Sequence, residues 1–132
     1  MEEAYVSFET AKLLKEKGFN EPIRCWYDNF QDFHEEGMRM SNADCLPPTI
    51  MCPTHQMAMA WLREKHRLYI DINIEVGDIQ MLPSYDFEED VLGYSYAIYN
   101  EETLIWVFKD KTPRSYEKAV EAAIRYCLEN LI

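Results

Sequence analysis

Nowhere does the chain hold the roughly 20 consecutive apolar residues that a helix needs to cross a bilayer, so no membrane-spanning helix is read from it. Basic residues are missing from a long central stretch. Asp71, Glu75, Asp78, Asp86, Glu88, Glu89, Asp90, Glu101 and Glu102 run without one Lys or Arg among them, and carry −9 of the net −11. Proteins that grip nucleic-acid backbones do so with clustered Lys and Arg that displace counterions, and here the field has the opposite sign, so direct nucleic-acid binding is not expected. The phosphate-cradling P-loop and GxGxxG loops are absent, as are GxSxG and HExxH, which excludes the most recognisable nucleotide-binding, hydrolase and zinc-protease chemistries. There are no internal repeats, low-complexity segments or linkers.

What is present is enough apolar material for a core. A hydrophobic fraction of 48% and an aromatic fraction of 14% over 132 residues offset the entropy of ordering the chain. At this length one domain over 1–132 is expected, burying roughly two-thirds of its unfolded surface. The opening residues, MEEAYVSFET, carry two acids and no basic segment leading into an apolar one, so the expected compartment is the cytoplasm. In that setting Cys25, Cys45, Cys52 and Cys127 are expected as free thiols. No cofactor is expected.

Local signals place the elements. Ser7 is a natural N-cap for FETAKLLKEK, Gly18 a left-handed stop, and Phe19 folds back on the last turn. PIRCWYD at 22–28 alternates and reads as a strand. The irregular 29–53 segment, about 25 residues, is long for a connection and is the natural place to look for a site. A second helix spans about 54–65, with Met57, Ala58, Trp61 and Leu62 as its buried stripe. RLYIDINIEV puts Leu68, Ile70, Ile72, Ile74 and Val76 on one face and Tyr69, Asp71, Asn73 and Glu75 on the other. YSYAIY and TLIWVFK form a hairpin around NEE. A last helix follows Ser115, with Tyr116, Val120, Ala123, Cys127 and Leu131 inward. The pattern predicts an α+β fold in two layers: a mostly antiparallel sheet of about four strands with three helices on one face.

YVSFETAKLLKEKGFNEP, PTHQMAMAWLREKH and SYEKAVEAAIRYCLENLI together resemble a family of small proteins of gut anaerobes and their phages and mobile elements, a family without an established activity. The resemblance covers about a third of the chain and implies a setting, not a mechanism. Relatives tend to read APTQ where this chain has Cys52-Pro53-Thr54-His55, so a role shared by that family would not depend on Cys52 or His55.

The chemical candidates are few. His34, Cys45, Cys52 and His55 offer zinc-ligand types, and Cys52-x2-His55 has a workable spacing, but the second close pair that zinc modules use is missing. A thiol at a helix start with a histidine three residues on also fits a Cys52 nucleophile with His55 as base. The plainer alternative is that Pro53 and Thr54 begin a helix and the cysteines are small buried residues. Tyr69, Asp71, Asn73 and Glu75, with Glu88, Glu89 and Asp90, form the candidate binding surface, an acidic face on which Tyr94, Tyr96 or Tyr99 would supply rings; ordinary cross-strand packing explains these residues as well. The expectation is thus a non-enzymatic interaction module with a protein partner, of the kind an accessory protein of a phage or mobile element would be. The alternative is a small metal-binding protein or Cys/His enzyme centred on Cys52 and His55.

Overall fold

The computed structural model describes residues 4–35, 37–76, 91–109 and 115–132, with backbone alone at 75, 76, 91, 92 and 109. The three helices among the described residues follow from their caps. α1 (Phe8–Glu16) starts where the Ser7 side chain accepts from Thr10 N. It ends at Gly18, whose φ of +97° is a conformation that side-chain-bearing residues rarely adopt. That turn swings Phe19 inward, where it is 1% exposed beside the fully buried Leu14.

Thr54 caps α2 (His55–His66) by accepting from Met57 N, and Arg63, Lys65 and His66 lie at the helix's negative end. Ala58, Trp61 and Leu62 are buried as the stripe predicts, but Met57 is not: 46% of it is exposed. It lies one position before Ala58 and lines a surface cavity instead. α3 (Tyr116–Tyr126) starts at Ser115, which accepts from Lys118 N, and widens into a π-helical turn at Cys127–Leu131. Val120, Ala123, Ile124, Cys127 and Leu128 are fully buried, whereas Tyr116 is 45% exposed. Val120, Ile124 and Leu128 buried this way each stabilise the fold by about 1.5–3 kcal/mol.

The α+β class stands, with three helices among the described residues, but the strands divide differently from the single sheet of about four. One antiparallel sheet has the order β4 (Leu68–Val76), β5 (Val91–Asn100), β6 (Ile105–Lys109). A second has the order β2 (Phe33–His34), β1 (Trp26–Tyr27), β3 (Ile50–Met51). The alternating run at 22–28 thus yields a two-residue strand, extended by an isolated bridge between Ile23 and Met40. The 29–53 segment contributes two strands of its own. Side chains hold it where ladders are too short to do so. Buried Asn42 donates Nδ2 to Phe19 O at 2.8 Å and accepts Met51 N at 3.0 Å. Asp28 Oδ1 accepts from Phe30 N and Asp32 N at 2.8 and 3.0 Å, closing the β1–β2 turn.

In the longer sheet the register runs Tyr69↔Tyr99↔Trp106, Ile70↔Ile98↔Val107 and Asp71↔Ala97↔Phe108. Leu68, Ile70, Ile72, Tyr96, Ile98 and Val107 therefore share the inner face, on the same core as Ile50, Met51 and Cys52 from the shorter sheet's side. α2 and α3 pack on that inner face. No helix among the described residues is long and apolar enough to cross a membrane.

Candidate functional site

The other face of the long sheet carries Tyr69, Asp71 and Asn73 from β4, Ser95, Ala97 and Tyr99 from β5, and Trp106 and Phe108 from β6, because alternate residues of a strand point to opposite sides. Apolar side chains on a wet face are the informative observation. Trp106 is 47% exposed and Phe108 67%. Their rings stack at 5.8 Å and 20°, and Tyr99 leans on Trp106 at 4.9 Å, so the three form one aromatic strip. Tyr69 extends it across β4, donating its hydroxyl to Glu101 Oε2 at 2.7 Å. That bond raises the Tyr69 pKa and keeps the phenol protonated. Glu101 also meets Arg67 at 3.4 Å.

Of the residues expected on this face, Tyr69, Asp71 and Asn73 lie there with exposed side chains. Glu75 pairs with Gly93 through its backbone, while Glu88, Glu89 and Asp90 lie outside the described residues. Of the tyrosines considered, Tyr99 joins the strip. Tyr94 and Tyr96 have the opposite parity and turn inward, onto Tyr116 and Tyr126 of α3. Trp106 and Phe108 were not singled out from the sequence. Their parity in TLIWVFK is readable, but which parity faces out depends on the register with β5.

A partly buried polar cluster lies where α1, α2 and α3 meet. The Glu121 carboxylate, from the middle of α3, accepts Ser7 N at 3.2 Å, Ser7 Oγ at 2.9 Å and the Thr10 hydroxyl, and its Oε1 is 2.9 Å from His55 Nε2. Burial works to raise this carboxyl, but the bonds from His55, Thr10 and Ser7 outweigh it and hold the group below its ordinary value. An ionised carboxylate only accepts, so Nε2 carries the His55 proton. The arrangement lacks the order of a nucleophilic triad, in which the imidazole stands between hydroxyl and carboxylate. Here the carboxylate is central, and it ties the N-termini of α1 and α2 to α3. Nothing local in the sequence pairs positions 55 and 121.

Cys52 takes no part in that cluster's bonds. Its thiol donates to Val6 O at 3.3 Å, beside the Tyr27 hydroxyl, which donates to the same carbonyl at 2.8 Å. Burial pushes the Cys52 thiol up to about 12, so it is protonated near neutrality, unlike the thiolate that nucleophiles and metal ligands require. Cys45 is buried over Asn42 O and Thr49 O. His34 stacks on Trp26 at 4.1 Å and bonds Asp28 Oδ2 at 2.7 Å. The four zinc-ligand candidates thus sit with separate partners. Among the described residues no three His, Cys, Asp or Glu side chains are grouped as a metal ion needs. All four cysteines are free.

No family model, curated protein or solved structure matches the chain.

Proposed function

We propose that this protein is a binding module that engages a basic protein segment through the outer face of the β4–β5–β6 sheet, without chemistry of its own. The observation that supports this reading is the strip in which Trp106 and Phe108 are exposed to solvent beside a half-buried Tyr99, edged by Asp71 and Glu101. Aromatic faces attract Lys and Arg cations, and neighbouring carboxylates add charge complementarity that a basic segment would satisfy. Among the described residues β6 pairs only with β5, which leaves its outer backbone groups for an extended segment to join. An accessory role in a phage or mobile element is compatible with such a module and belongs to the same proposal.

A dye-labelled peptide of alternating lysine and valine tests it by fluorescence anisotropy. Binding is expected, with affinity falling about tenfold or more as salt rises and the screening length shrinks. The double variant Trp106→Ala, Phe108→Ala should lose it, and Asp71→Lys should weaken it. A wild-type protein that leaves the peptide free, or a double variant that binds as the wild type does, would sink the reading.

A further inference from the structure

On the side of the molecule built by the short sheet, a cavity of about 400 Å³ opens against the first turn of α2, within the range of about 300–1,000 Å³ usual for small-molecule sites. Its lining is of two kinds. Ile23, Cys25, Cys52 and Met57 make an apolar wall, and the exposed residues Arg24, Arg39 and Glu35 form the mouth. Cys52 is a neutral thiol there and behaves as a small hydrophobe.

The two arginines need an explanation. The Ile23–Met40 bridge, bonded N–H to O at 2.9 and 2.8 Å in the two directions, lays Pro22–Arg24 beside Arg39–Met40 and brings two guanidiniums to one cavity. Like charges on facing segments repel. Acids are abundant in the chain, 24 against 13 bases, yet neither arginine forms an ion pair among the described residues; Glu36 lies outside them. Arg39 is anchored by donating Nε to Pro22 O at 3.3 Å, and its terminal nitrogens have no partner among the described residues. Such a fork suits a carboxylate or a phosphate. Glu35 at the same mouth cuts the local charge to about that of one cation and so disfavours a dianion. Met57, 46% exposed, gains cover only from something seated against it.

We propose that the cavity binds a small monocarboxylate with an apolar tail, its head between Arg24 and Arg39 and its tail along Ile23, Cys25, Cys52 and Met57. The test is calorimetric titration of the full chain with octanoate, against octanamide as the neutral match and inorganic phosphate as the tail-less anion. Octanoate should bind, with octanamide about tenfold weaker or more, since a charge-assisted bond is lost. Arg24→Gln and Arg39→Gln should each weaken octanoate about tenfold at unchanged far-ultraviolet circular dichroism, while Trp106→Ala leaves it unaltered. Octanoate should also slow alkylation of Cys25. The proposal is overturned by no heat and no Cys25 protection at millimolar octanoate, by octanamide binding equally well, or by an Arg24→Gln, Arg39→Gln double variant that binds octanoate normally. Phosphate binding as tightly as octanoate would overturn the role of the tail.

Discussion

The two sheets of this protein are built from opposite materials. In β4–β5–β6 a continuous ladder does the structural work, one face is covered by helices, and the other displays rings beside acids. In β2–β1–β3 the strands are two residues each, and the structure is held by individual side chains, Asn42, Asp28 and Tyr27, bonded to backbone. Periodic architecture leaves a surface that tolerates change; side-chain architecture does not. Substitutions should therefore cost stability on one side of the molecule and binding on the other.

The largest effect is expected at Glu121, which ties the N-termini of α1 and α2 to α3. Glu121→Ala strips a partly buried charge from His55, Ser7 and Thr10, and should cost about 3 kcal/mol in urea unfolding. The same group sets a pH dependence. Its folded carboxyl is lowered, so its stabilisation is present above a glutamate's ordinary 4.5 and is lost as pH falls through and below that value. Glu121→Gln should flatten this acid limb in a denaturation series. Asn42→Ala comes next. It leaves Phe19 O and Met51 N without their buried partner and should cost about 2 kcal/mol, with amide exchange rising in the short sheet before the long one.

Gly37→Ala is smaller and sharper in cause. A Cβ there would lie 2.8 Å from Trp26 Nε1 and 3.0 Å from Arg24 O, and should cost about 1–2 kcal/mol through displaced packing. Phe108→Ser closes the series. With Phe108 67% exposed, unfolding should move by no more than about 0.5 kcal/mol, while basic-peptide affinity falls. A stability loss as large as that of Asn42→Ala would erase the contrast between the two sides.

Legibility divides along the same line. The caps Ser7, Thr54 and Ser115 and the stop at Gly18 were readable because each acts within four residues of its own position. The alternation of Leu68 to Asn73 announced its wet side for the same reason, but Ile74, expected on the covered face, is 44% exposed. Of the short sheet only β1 was readable, inside the alternating run at 22–28; β2 and β3 were not, since two-residue strands have no period of their own. Met57 was misplaced because a helical stripe fixes a face only to within one position at its edge. The inward turn of Tyr94 and Tyr96, and the outward turn of Trp106 and Phe108, awaited the register between β5 and β6, which the tight turn at Leu104, with φ of +61°, helps to set.

The sequence alone determined the helices, the long strands, the acidity of the central segment and the absence of familiar catalytic motifs, all properties of neighbouring residues. Tertiary structure alone decided which rings reach solvent, that His55 serves Glu121 instead of Cys52, and that Arg24 and Arg39 share a cavity. Each of these depends on contacts between residues 17 to 66 positions apart or on which face the helices cover, and residue spacing along a chain does not encode such distances.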